Sequence, residues 1–113
     1  MMVLSSFHRQ RALLEMAVKQ SPEMKNLPPE LIETAVSHLS DAIEAALKLG
    51  KIDLADTEAA WGKNLVINYG FPIQWQAAFY DVYAQAVSKY IADENQIITG
   101  WLNKVRKQHV TKN

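Results

Sequence analysis

Residues 73–91 constrain the fold more than any other stretch of this chain. Wound as a helix, they carry apolar side chains round an arc of about 220°, from Val82 through Trp75, Phe79, Tyr90 and Tyr83 to Ala77. The polar strip that remains is narrow: Gln74, Asp81, Gln85, Ser88 and Lys89. A helix on the surface of a globule needs only about 100° of apolar face, so this one must be covered on two sides. Either it is the central helix of a bundle, or one flank meets a partner or a second copy of the chain. The central placement is the simpler reading, because a bundle of several helices needs a central element.

The aromatic residues reinforce the point. Nine of the ten lie between Trp61 and Trp101, and only Phe7 falls outside. Such large, rigid side chains dominate the energetics of cores and interfaces. The second half of the chain therefore builds the core, or a core together with a binding face.

Helix signals divide the chain into about five helices. A first helix is expected from near Ser5 to Lys19, with Phe7, Leu14, Ala17 and Val18 on one side. Ser21-Pro22-Glu23 reads as a single turn, Ser21 capping and Pro22 in the first helical position. The second helix, Pro29 to Leu49, places Leu31, Ile32, Val36, Leu39, Ile43 and Ala46 on one face, and Gly50 is its expected left-handed stop. A third is expected to open at Asp53 as N-cap and run to Asn68, although Gly62 weakens its middle and residues 65–69 would also suit a strand. Gly70-Phe71-Pro72 makes a corner before the fourth helix. Asp93 to Gln96 resembles a capping box that launches the fifth through Trp101 and Val105. The polar tail, about residues 108–113, is expected to fray. The predicted architecture is all-α: a single domain over 1–113, a compact bundle of about five helices with the fourth (about 73–91) central. Short connections make consecutive helices antiparallel neighbours.

Composition narrows the chemistry. Twelve basic residues balance twelve acidic ones, so overall charge offers no argument for nucleic acid or an anionic membrane. There is no cysteine, which excludes disulfides and thiolate chemistry. The opening Met1–Phe7 run is too short for a signal peptide and no stretch is long enough to span a membrane, so the expected address is cytoplasmic. No nucleotide-binding, metal-binding or nucleophile-elbow motif occurs, and no cofactor or metal is expected.

Several polar residues stand where either a plain structural role or a functional one is open to them. Gln76 projects into the aromatic arc. A buried amide without partners costs about 1–3 kcal/mol, so it should bond to a tyrosine hydroxyl, a backbone group or a bound molecule. Glu58 lies on the apolar face of the third helix, where burial would raise its pKa. Its place in the first turn favours a carboxylate stabilised by the helix dipole and still in reach of water. His38 and Asp41 are neighbours on one helix, read as a solvated pair. His8, His38 and His109 are widely separated, and no serine is spaced for a triad. The end of the chain is basic, with Lys104, Arg106 and Lys107 as candidate phosphate contacts, but the three spread over about 160° of helix surface, and cations also suit a helix C-terminus. A helix-turn-helix at Ala46-x-x-x-Gly50 fails: its recognition helix would aim Asp56 and Glu58 at phosphates.

The function expected from these residues is that of a non-catalytic interaction protein, a small regulator, adaptor, chaperone or inhibitor that binds another protein and forms a homodimer. Its candidate contacts are Trp75, Phe79, Tyr80, Tyr83, Tyr90 and Trp101. Nucleic-acid binding through Lys104, Arg106 and Lys107 is one alternative. A small enzyme or ligand carrier with a pocket lined by Tyr80, Tyr83 and Gln76 is the other.

Overall fold

Two prolines and a glycine delimit the longest helix. In the computed structural model, which describes residues 6–72 and 74–109, α2 spans Pro29–Lys48. Pro29 opens it, where a missing N–H costs nothing. It ends in a Schellman closure at Gly50, whose φ is +74°: Lys51 N donates to Ala46 O and Gly50 N to Leu47 O, both at 3.0 Å. The same device ends α3 (Asp56–Asn68) at Gly70, φ +80°, with Phe71 N on Val66 O and Gly70 N on Ile67 O. Residues 65–68, ambiguous in sequence, are therefore helical up to this stop.

The other helices are α1 (Ser6–Lys19), α4 (Gln74–Tyr90) and α5 (Asn95–His109). Short 3₁₀ turns at Pro22–Met24 and Ile52–Ala55 lead into α2 and α3. No strand occurs among the described residues. α4 packs against α1, α5 and α3 and against the turn at Pro22–Met24. It is the wrapped element its sequence demands, with Gln76, Tyr80, Tyr83, Ala86 and Val87 buried along it. Phe7, Leu14 and Val18 of α1, Val36, Leu39 and Ile43 of α2, and Ile98, Leu102 and Val105 of α5 complete the core.

The starts of α3 and α5 differ from expectation for one shared reason: their polar side chains are taken by other helices. α3 begins at Asp56 rather than Asp53, and no side chain caps it. Asp53 instead accepts from Lys104 Nζ at 2.6 Å, and Asp56 accepts from Trp101 Nε1 at 2.7 Å. α5 begins at Asn95, and Asp93-Glu94-Asn95 serves two other helices. Asn95 Nδ2 donates to Val87 O and Ile91 O at the end of α4, while Glu94 Oε1 accepts from Phe7 N (2.9 Å) and Ser6 Oγ at the start of α1. Ser6 Oγ in turn accepts from Asp93 N. Ser21 makes no side-chain cap. α5 stays helical through His109, so residues 108 and 109 are not frayed; residues 110–113, Ser5 and Ile73 lie outside the described residues.

Charges stitch α1 to α2. Arg11 donates to Glu15 and Asp41 at 2.7 Å and to Glu44 at 2.9 Å, and His8 also bonds Glu44. Burial alone would raise the Glu44 carboxyl, but the hydrogen bonds from His8 and Arg11 outweigh it and hold the group below its usual 4.5. Asp41 is thus engaged with Arg11, and His38 finds a different partner.

Candidate functional site

An apolar pocket opens where the Pro22–Met24 turn, α2, α3 and the first turns of α4 converge. Met24, Leu27, Leu31, Ile32 and Leu39 form one wall; Trp61, Leu65 and Val66 of α3 face them; Trp75 and Phe79 close it from α4. The void is about 40 Å³. At about 10–15 Å³ per water-sized group, that is room for roughly three such groups.

The polar groups in the lining are Glu58, Gln76 and Tyr80. Gln76, 2% exposed, donates from Nε2 to Ala59 O and to Tyr80 Oη, both at 2.9 Å, while its Oε1 is buried without a protein partner. The sequence-derived demand that this amide find a tyrosine hydroxyl or a backbone group is thus met for the nitrogen and left unmet for the oxygen. Gly62 explains how the amide fits. A Cβ there would stand 2.9 Å from Gln76 Nε2. The glycine that weakens the middle of α3 gives the amide its room, a close approach only a residue without a side chain allows.

Glu58 is buried too, at 8% exposure, so little of it is left to reach water from the first turn of α3. Its Oε1 lies 3.1 Å from His38 Nδ1, and the His38 ring stacks on Trp61 with centroids 3.6 Å apart and planes 9° from parallel. Burial pushes the Glu58 carboxyl above its usual 4.5, and the hydrogen bond and charge of His38 offset part of that rise. Burial likewise pushes the Tyr80 hydroxyl upward.

The sign of the Glu58 effect on stability follows. A carboxyl whose folded pKa is raised is penalised when ionised, so the penalty is absent below the unfolded value and develops as pH rises through the folded one. Glu58→Gln removes the penalty. Relative to the wild type, the variant is expected to be more stable near pH 7 than near pH 4, read as the difference in urea midpoints at the two pH values. A difference that stays flat or runs the other way contradicts this account.

The sequence-derived contact residues are divided by the fold. Trp75 and Phe79 are half-buried at the pocket, and Tyr80 and Gln76 lie within it. Tyr83 does not line it: the side chain is fully buried elsewhere in the core, its hydroxyl 2.7 Å from Ser40 Oγ. Trp101 is 3% exposed and held by Asp56, and Tyr90 is half-buried beneath Lys89 Nζ. Tyr80, Tyr83 and Trp101 are therefore core residues of this chain rather than surface anchors, because α1, α3 and α5 wrap α4. At the basic end, Lys104 pairs with Asp53 and Asp56, Arg106 Nε lies 3.1 Å from Asp81, and Lys107 has an interaction of its own. A hydrogen bond from Lys104 to Asp53 raises the pKa of the ammonium. Lys104 and Arg106, expected to face phosphates, are turned to the protein's own carboxylates.

The His38–Glu58–Trp61 constellation is absent from the sequence reading, which paired His38 with Asp41. The one available signal was Glu58 on an apolar face. Among the described residues, no cluster of three histidine or acidic side chains could hold a metal ion, and no helix is long and apolar enough to cross a membrane.

Compared with known protein families, curated sequences and solved structures, the chain matches none.

Proposed function

We propose that this chain is a non-catalytic binding protein, a small regulator, adaptor, chaperone or inhibitor with a cytoplasmic address, and that it docks another protein over the mouth of the α2–α3–α4 pocket. The observation that carries this reading is the rim. Trp61, Trp75 and Phe79 are large aromatics left half-buried around an apolar opening. Aromatic anchors beside a desolvated pocket are where binding energy concentrates at protein interfaces. The pairing of Lys104 and Arg106 with Asp53, Asp56 and Asp81 lowers the support for a nucleic-acid role.

The test combines light scattering with affinity capture, using wild type and Trp75→Ala. The wild type is expected to form a dimer or to hold a specific protein partner. Trp75→Ala, still folded by circular dichroism, is expected to weaken that association at least tenfold, the scale of a hot-spot residue at about 2 kcal/mol. A wild type that is monomeric and captures nothing specific overturns the proposal, as does an association indifferent to Trp75.

A further inference from the structure

Within the pocket two hydrogen-bonding capacities are unspent. Gln76 has its amide nitrogen committed to Ala59 O and Tyr80 Oη and its oxygen committed to no protein group. Tyr80 Oη accepts from Gln76, and its own proton has no acceptor among the described side chains. Both residues are buried and both line the void; Oε1 is closed to a water-sized group, so a ligand reaches it as the Gln76 side chain turns toward the void. Leaving a buried acceptor unmade is costly, whereas supplying its partner is favourable. The remainder of the lining is almost wholly aliphatic and aromatic.

One spare acceptor beside one spare donor asks for a head group that does both. A hydroxyl donates to Gln76 Oε1 and accepts from the Tyr80 O–H. An ammonium has only donors, and its charge would lose hydration against apolar walls. A carboxylate has only acceptors and would lie near the buried Glu58 carboxyl. A primary amide has both kinds of group, but its head alone uses the room that the void provides. We propose that this pocket binds a slim, uncharged aliphatic alcohol, its hydroxyl held by Gln76 Oε1 and Tyr80 Oη and its chain leaving between Trp61 and Trp75. This goes beyond protein docking at the mouth and stands whether or not such docking occurs.

The test uses the intact protein and three probes: 1-hexanol, 1-chlorohexane and hexanoate. Binding is followed by calorimetry and by the NMR signals of the tryptophan indole N–H groups. Saturable binding of 1-hexanol is expected, shifting the indoles of Trp61 and Trp75 and sparing that of Trp101, which lies outside the pocket lining. The chloride and hexanoate should bind at least fivefold more weakly, the scale of one net hydrogen bond at about 1 kcal/mol. In Tyr80→Phe and Gln76→Met the preference for alcohol over chloride should shrink by a similar factor. No saturable shift with 1-hexanol, equal binding of the chloride, or tighter binding of hexanoate overturns the proposal. Because the probe comparison on the wild type needs no substitution, a variant that fails to fold does not blunt it. A protein that is monomeric, captures no specific partner and still binds 1-hexanol would refute the docking proposal and leave this one standing.

Discussion

Tyr83→Ala is expected to lower the stability of the fold by about 4 kcal/mol, the scale of a large aromatic deleted from a packed core. Tyr83 is fully buried on the helix that α1, α3 and α5 enclose, so the void it leaves has no neighbour free to collapse into it. A domain of this size has about 5–15 kcal/mol in all, so the variant loses a large part of its stability. Tyr83→Phe separates ring from hydroxyl. It keeps the ring and strands Ser40 Oγ, 2.7 Å from the tyrosine oxygen and itself fully buried, at a cost of about 1–2 kcal/mol. Urea unfolding of both variants reads the two amounts directly. A midpoint for Tyr83→Ala close to that of Tyr83→Phe would show that the ring is not the centre of the core.

Trp101→Ala is expected to cost a similar amount, about 4 kcal/mol, but with a different distribution. Trp101 lies in the second turn of α5, is almost fully buried, and reaches Asp56 at the first position of α3 through Nε1. No side chain caps the N-terminus of α3, and it holds a glycine at its middle. Removing the indole therefore takes away both apolar cover and a short hydrogen bond to the first residue of this helix. Hydrogen exchange should accelerate along residues 56–68 well before α1 and α2 are affected, whereas Tyr83→Ala should accelerate it everywhere. Equal acceleration throughout the chain in Trp101→Ala would mean that α3 does not open as a separate unit.

The contrast between these residues shows what a linear reading can carry. The helix count, the left-handed stop at Gly50 and the enclosure of α4 are legible because each rests on local pattern: a period of 3.6 residues, a proline or glycine at a boundary, an apolar arc too wide for a surface. The caps were misread for the same reason. Asp53 and Asp93 stand where a local rule would use them, yet Asp53 bonds Lys104 and the 93–95 segment secures α1 and α4. Local rules assume that no better partner comes from elsewhere in the chain, and here better partners do. The candidate site was half legible. Gln76 stood out as a polar residue in an apolar arc, and Trp75 and Phe79 as aromatics in surplus. His38 of α2 meets Glu58 of α3, and Gly62 of α3 meets Gln76 of α4, only when these three helices are packed together.

By itself the sequence determined that this protein is helical, where most of its helices stop, and that the stretch after Pro72 must be surrounded, because backbone preference and the burial of apolar area act residue by residue along a helix. Only the tertiary structure decided which aromatics are core and which form a rim, that Lys104 and Arg106 pair with carboxylates of other elements, and that a buried amide oxygen faces no protein donor. Those outcomes depend on contacts between residues 17 to 51 positions apart, and packing several helices at once sets such distances in a way that no single periodicity encodes.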